Sequence, residues 1–273
     1  MPEGPEIRRA ADRLERALKG QSAEAVFFAF DHLKPFEQQL GGQLVESVET
    51  RGKGLLIHFQ NRLSIYSHNQ LYGRWFVRPA HSYPRTGRQL RLAIHNAHKS
   101  ALLYSASDID VLTPGQIARH PFLSRLGPDV VSAETGAVLA QIRAPRFARR
   151  QLGSLLLDQH FLAGVGNYLR SEILFVSGLH PRLRPGDCSP EQLAALAEAA
   201  TTLARRSYRH NGVTCDLRIA RELKAEGQLR SRYRHWVFSR TGRPCRQCGT
   251  PVLSTTVASR RLNYCPVCQP QQA

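Results

Sequence analysis

The chain has 273 residues, with 38 Lys and Arg against 21 Asp and Glu, a formal net charge of +17, and 42% hydrophobic residues. That apolar content is enough to bury a core and excludes an intrinsically disordered chain; the length suits two ordinary domains, or two plus a small module. No run of about 18 apolar residues occurs, which excludes a transmembrane helix, and the charge asks for a polyanionic partner, nucleic acid before an acidic membrane surface. The first twenty residues lack a hydrophobic signal region, so secretion is not expected. Four of the six cysteines form two Cys-x-x-Cys pairs and Cys188 and Cys215 stand apart, which fits a reducing compartment and a metal site better than a disulfide framework.

In chain order, residues 5–19 read as an amphipathic helix with Ile7, Ala10, Ala11, Leu14, Ala17 and Leu18 on one face. Gly4 suits its N-cap, Pro5 its first helical position and Gly20 its end. Strand signals follow at 24–30, 44–50, 55–59, 63–67, 74–77, 89–95 and 100–105. Their short spacing and alternation predict an antiparallel sandwich rather than parallel βαβ units. No Gly-x-Gly-x-x-Gly or P-loop pattern appears, which counts against a nucleotide-cofactor enzyme. Thr113-Pro114-Gly115-Gln116 has the form of a capping box, and 121–128 reads as a linker. Residues 130–206 are helical in pattern, with Ser189-Pro190-Glu191-Gln192 opening a helix that carries Leu193, Leu196, Ala197, Ala200 and Leu203. The stretch 209–234 is basic and weakly periodic, hence partly loop, and 236–269 is a separate small module.

Two places could carry chemistry. Cys245-x-x-Cys248 and Cys265-x-x-Cys268 are separated by 16 residues, a spacing that suits a tetrahedral four-cysteine zinc site on a hairpin whose strands are 252–257 and 262–264. Four thiolates leave no position for water, so such a zinc is structural; two redox dithiols are the alternative. The hairpin turn is read as Ser259-Arg260-Arg261, whose arginines suit phosphate contact or plain solvation. The second place is Met1-Pro2-Glu3-Gly4-Pro5-Glu6. Removal of Met1 ahead of a small residue would leave Pro2 with a free secondary amine, and a helix starting near Pro5 turns its positive end toward that amine and disfavours protonation. A neutral amine can attack a sugar C1′ and form a Schiff base, with Glu3 beside it to manage protons. By itself the segment is equally an ordinary helix start, with Glu3 and Glu6 as dipole partners.

Taken together, Pro-Glu-Gly-Pro-Glu after Met1, Arg51-Gly52-Lys53-Gly54, Gly164-Val165-Gly166-Asn167-Tyr168 and a four-cysteine finger ending Ser259-Arg260-x4-Cys265 resemble the formamidopyrimidine-DNA glycosylase/endonuclease VIII family over essentially the whole chain. The resemblance implies an α+β, multi-domain fold: an N-terminal helix plus antiparallel β-sandwich in a catalytic domain (1–125), a helix-two-turn-helix DNA-binding domain (126–235) and a zinc β-hairpin finger (236–270). It implies Pro2 as Schiff-base nucleophile, Glu3 as proton donor or acceptor, Lys53 as the lysine that assists β-elimination and contacts phosphate, and Arg260 as the finger arginine that grips phosphate and assists δ-elimination. Asn167, at the start of an apolar helix, would bind backbone phosphate, with N-capping as its simpler role. Arg125 resembles a further phosphate contact. Cys245, Cys248, Cys265 and Cys268 would hold one structural zinc, with no redox cofactor or catalytic metal.

Flipping a nucleotide out of DNA leaves a gap that side chains must fill. The formamidopyrimidine branch uses a sandwich-domain methionine, and this chain has none after residue 1. His68-Asn69-Gln70-Leu71-Tyr72-Gly73 instead resembles the endonuclease VIII void-filling loop, with Leu71 as wedge, Tyr72 as stacking ring and Gln70 bonded to a base edge. The reading is a glycosylase and abasic-site lyase of base excision repair for oxidised pyrimidines such as thymine glycol and dihydrouracil. Its expected partner is double-stranded DNA with oxidised bases or abasic sites. A monomer without membrane association is expected, in the cytoplasm of a bacterial-type cell and at the nucleoid through DNA. An enzyme for oxidised purines, and a zinc-containing DNA-binding protein without activity, remain the alternatives.

Overall fold

The computed structural model describes residues 2–271, so the expected removal of Met1 lies outside the described residues. The chain divides into two compact units, one of Glu6–Arg125 with Pro2, the other running from Leu126 onward together with Glu3–Pro5.

The first unit begins with helix α1 (Gly4–Leu18), most of which belongs to it, and which ends at Gly20 with φ of 73°. There follow β1 (Ala25–Phe28), α2 (Pro35–Leu40), β2 (Val45–Arg51), β3 (Gly54–Phe59), β4 (Ser64–His68), β5 (Arg74–Pro79), β6 (Leu90–His95), β7 (Lys99–Tyr104), β8 (Asp108–Leu112) and α3 (Pro114–Arg119). The strands make two four-stranded antiparallel sheets, ordered β1-β6-β7-β5 and β2-β3-β4-β8. Phe28, Leu92, Ile94 and Leu103 of one sheet share a core with Val48, Ile57, Ile65 and Ile109 of the other, and Ile7, Ala11, Leu14 and Leu18 of α1 join it. The antiparallel sandwich read from the alternation is therefore present. Two elements were absent from the sequence reading. β8 alternates Asp108, Asp110 with core-facing Ile109, Val111, and its two carboxylates in five residues hid the pattern. α2 follows a short 3-10 turn and buries only Leu40.

The second unit holds α4 (Thr135–Ile142), α5 (Leu152–Leu155), α6 (Asn167–Val176), α7 (Pro190–Arg209), α8 (Leu217–Ala225), α9 (Arg230–Tyr233), β9 (Leu253–Val257) and β10 (Arg260–Tyr264). Ser189 caps α7 through a capping box with Gln192, as Thr113 caps α3 with Gln116. Leu169 and Ile173 of α6 pack against Leu196, Ala200 and Leu203 of α7, and Leu262 of β10 enters the same core. The basic segment expected to be partly loop contains two helices. Asp216 starts α8 by accepting from the amides of Arg218 and Ile219, and Leu217 and Ala220 cover Val213 and Cys215. Among the described residues, no helix is long and apolar enough to cross a membrane.

Candidate active site

The first unit carries Pro2, Lys53, the Gln70 loop and Arg125. Pro2 is half-buried. Lys53 sits in the β2–β3 turn, where Arg51 pairs with Gly54 and Gly52 adopts φ of 61°. A lysine in a two-residue turn is ordinarily solvated, yet Lys53 is only 6% exposed. The β3–β4 register sets Gly54 opposite His68, so the turn lies beside the root of the next loop. His68 is held below the usual histidine range, mainly by burial and in part by the Lys53 charge, against the opposing pull of Asp108.

Beyond His68 the chain makes a shaped projection. Gln70 takes φ of 47°, and Leu71 and Tyr72 are 56% and 66% exposed. The projection is pinned: the Ser107 hydroxyl donates to Gln70 Oε1 at 2.7 Å, Arg88 Nη1 donates to the Tyr72 carbonyl at 2.6 Å, and the Gly73 amide returns to the Asn69 carbonyl at 2.7 Å. An apolar tip held out to solvent is a costly arrangement unless it meets a partner. Arg125 closes the 3-10 turn Leu123–Arg125 with its side chain exposed.

In the second unit, Glu3 is 2% exposed. Its Oε1 accepts from the Tyr168 amide at 2.8 Å, and its Oε2 from the Gly166 amide at 2.8 Å and the Leu169 amide at 3.2 Å. The carboxylate thus takes up the unpaired N–H groups at the start of α6. The glycines of Gly164-Val165-Gly166 are explained by this approach. A Cβ on Gly166 would lie 2.4 Å from Glu3 Cδ, and one on Gly4 2.9 Å from Gly164 Cα. The backbone amides at this helix end, the expected neighbourhood of a phosphate contact, are taken by Glu3. Nor does Asn167 cap the helix: Gly166 is the N-cap residue and has no side chain to bond with, so the capping acceptor is the Glu3 carboxylate. The Asn167 Oδ1 instead accepts from Arg170 Nη2 at 2.7 Å, leaving its Nδ2 as the donor.

Arg170 was missed by sequence reasoning, as was Glu172. Both are fully buried, and the signal was available: two full charges inside a helix otherwise read as apolar. Arg170 Nη1 donates to the Gly153 carbonyl at 2.8 Å and Nη2 to the carbonyls of Arg260 and Arg261 at 3.3 and 3.2 Å, tying the β9–β10 hairpin to α6. Burial, and then the Arg260 charge, push its pKa down to about 10, with Glu3 pulling the other way. The hairpin turn is one register earlier than expected. Ala258 and Ser259, with φ of 50° and 58°, form the tip, and Arg260 is already in β10 opposite Val257. Arg260 and Arg261 are both exposed. Glu172 accepts from the Thr214 hydroxyl at 2.5 Å and from the amides of Trp236, Val237 and Phe238 at 2.8, 2.9 and 2.9 Å, which fixes the entry to the finger.

The sulfur atoms of Cys245, Cys248, Cys265 and Cys268 all lie within 4.8 Å of one another. Cys245 approaches Cys268 at 3.9 Å and Cys248 approaches Cys265 at 3.5 Å. Sulfurs about 2.3 Å from a tetrahedral metal stand roughly 3.8 Å apart, so the donor set fits such an ion.

Comparison with known proteins agrees with this geometry. The family model described as Formamidopyrimidine-DNA glycosylase N-terminal domain matches residues 1–107, and that described as Formamidopyrimidine-DNA glycosylase H2TH domain matches residues 126–218. Endonuclease 8 of Salmonella paratyphi B is 51% identical over 271 residues, covering 98% of this chain and 100% of that protein. The chain belongs to the formamidopyrimidine-DNA glycosylase/endonuclease VIII family. An Enterobacter Endonuclease 8 is 50% identical over the same span. Family membership makes the chain an enzyme of the DNA glycosylase and abasic-site lyase class and sets aside the reading as a DNA-binding protein without activity. The fold is shared with a Lactococcus lactis FPG mutant in complex with Fapy-dG-containing DNA, at a TM-score of 0.82 and 18% identity over 99% of this chain and 100% of that one. It is shared too with Lactococcus lactis Fpg in complex with abasic-site DNA, at a TM-score of 0.80 and 18% identity over 98% and 100%.

Proposed function

We propose that this chain excises oxidised pyrimidines of the thymine glycol and dihydrouracil type from double-stranded DNA and then cuts the strand at the abasic site. The Pro2 amine, free once Met1 is removed, attacks C1′ of the damaged nucleotide; the bond from C1′ to the base breaks and the base leaves with a proton, the amine gives up its proton, and the C1′–O4′ bond then opens as O4′ takes a proton. The resulting iminium is the electron sink for loss of the 3′ and then the 5′ phosphate, by β- and δ-elimination. Glu3 serves as proton donor and acceptor, Lys53 assists the first elimination and Arg260 the second. Arg125 and Asn167 grip backbone phosphate. Gln70, Leu71 and Tyr72 enter the space that the flipped nucleotide vacates.

One observation supports this most: the residue next to the proposed nucleophile is a carboxylate locked by three backbone amides, at glycines that leave room for nothing larger. A helix start needs no such device. The burial of Lys53 in a turn points the same way, and the pinned, exposed loop at Leu71 and Tyr72 supports the pyrimidine branch. The matching relatives named Endonuclease 8 favour it over the purine branch. The ion we assign to the four cysteines is a single structural zinc. It holds the two ends of the finger together; the finger (236–270), the sandwich (1–125) and the helical domain (126–235) are the three modules of a monomer active in the cytoplasm on nucleoid DNA.

Borohydride trapping tests the chemistry. The protein should crosslink to abasic DNA, and Pro2→Ala should not. Equal trapping of both would end the assignment of Pro2. Excision of thymine glycol and 8-oxoguanine from matched duplexes tests the branch, a preference for 8-oxoguanine pointing to the purine enzyme. Removing Arg125 or Asn167 should lower the salt slope of binding by roughly one per lost phosphate contact.

A further inference from the structure

A second concave site lies in the helical unit, within the basic segment that the glycosylase reading leaves without a role. Both family models stop at or before residue 218, so most of α8 and all of α9 fall beyond them. A cavity of about 630 Å³ opens there. Its floor is aliphatic, from Val213, Leu217 and Ala220, with the Tyr233 ring to one side, and its rim carries Arg221, Lys224 and Arg230. The floor is backed by Cys215 and Trp236 in a small apolar cluster, so it is a packed surface and not a frayed end.

The charges are sorted in a telling way. The lining contains no carboxylate. Of the three acids of this segment, Asp216 caps α8, Glu222 pairs with Arg218 at 2.8 Å, and Glu226, at the end of α8, is not among the lining residues. Among the described residues, no ion pair involves Arg221, Lys224 or Arg230. Arg230 donates to the Asn211 carbonyl and Arg221 to the Leu217 carbonyl, which hold the guanidinium groups at the rim. Three such cations around an apolar hollow complement a ligand with carboxylates on one side and bulky apolar groups on the other.

We propose that this cavity docks an acidic peptide segment of a partner protein, its apolar side chains seated on Val213, Leu217 and Ala220 and its carboxylates held by Arg221, Lys224 and Arg230. A nucleotide is the less suitable occupant. Bases bind between flat aromatic faces, and this cavity offers one ring among branched aliphatic walls. The proposal is independent of the lyase chemistry.

The test is fluorescence polarisation with the full chain and a labelled peptide Asp-Asp-Asp-Gly-Leu-Phe. Ala220→Trp, which fills the cavity, should weaken binding about tenfold or more, as should the exposed pair Arg221→Glu/Lys224→Glu. Replacing Leu-Phe of the peptide by Gly-Gly should do the same, whereas binding of a six-nucleotide oligo-dT should be the same for Ala220→Trp as for the parent. Circular dichroism and borohydride trapping confirm that each variant is folded. The proposal fails if the peptide does not bind, or if Ala220→Trp or the Gly-Gly peptide makes no difference. It fails too if oligo-dT is the ligand that Ala220→Trp expels, which would make the cavity a nucleotide site.

Discussion

The sandwich unit fills its interior with Leu, Ile, Val and Phe side chains, and among the polar groups it buries Ser64 and Ser100 bond to His58 and His95 only six and five residues away, with Asn96, bonded to the Ala17 carbonyl, as a long-range exception. The helical unit buries Arg170, Glu172, His235, Asn263 and Gln269 at 2% exposure or less. Each of these reaches far along the chain: Arg170 to Arg260, Glu172 to Phe238, His235 to Thr214, Asn263 to Ser239, Gln269 to Leu179. Apolar burial is non-directional and tolerates small shifts. A buried charge must meet its partners at hydrogen-bond distance or be heavily penalised. The finger arginine is thereby held by polar geometry, whereas the sandwich is held by area.

The contrast can be broken by mutation. Glu172→Ala should cost the most, about 4 kcal/mol, because it strands three buried amides and the Thr214 hydroxyl; urea unfolding measures it. Ile57→Ala, in the centre of the sandwich core, should cost about 3 kcal/mol by the same assay. A larger loss from Ile57 than from Glu172 would overturn the contrast.

Acid should act through the helical unit's network. The Thr214 hydroxyl donates to Glu172 and so accepts from His235 Nδ1 at 2.9 Å, while His235 Nε2 is buried without a partner. Burial, with the charges of Arg234, Arg230 and Arg246, holds His235 well below its ordinary 6.5. The unfolded chain therefore binds a proton that the folded one refuses, so stability is full above pH 6.5 and falls as pH drops below it. The His235 contribution to the loss from pH 7 to 5 is about 2 kcal/mol, and Glu172, whose pKa burial pushes up, works in the opposite direction. His95 of the sandwich shifts the same way, so the deciding measurement is a flatter pH slope in His235→Gln. The smallest effect, about 1 kcal/mol, is expected for Thr113→Ala, which removes the α3 cap at the edge of the sandwich unit.

Much of the sandwich was readable because period-two alternation is local, and seven strands could be placed from it. β8 escaped because Asp108 and Asp110 dilute the apolar count while leaving the alternation intact. In the helical unit the capping box at Ser189 placed α7, but α8 was hidden by its charge: Leu217 and Ala220 are too few to mark a face until Val213 and Cys215 are seen beneath them. At the site, glycine spacing around Asn167 marked the place but not the Glu3 carboxylate that occupies the helix end. No pattern within 164–168 says that the carboxylate comes from Glu3.

The sequence by itself determined the charge and hence the kind of partner, the alternation and hence the sandwich, and the paired cysteines and hence the finger. All three are properties of neighbouring residues. The tertiary structure alone decided that Glu3 meets amides 163 and 165 residues away, that Lys53 is buried in its turn, and that the four sulfurs come within 4.8 Å of one another. Those outcomes depend on which distant backbone groups are left unpaired, and an unpaired donor becomes visible only once the chain has closed around it.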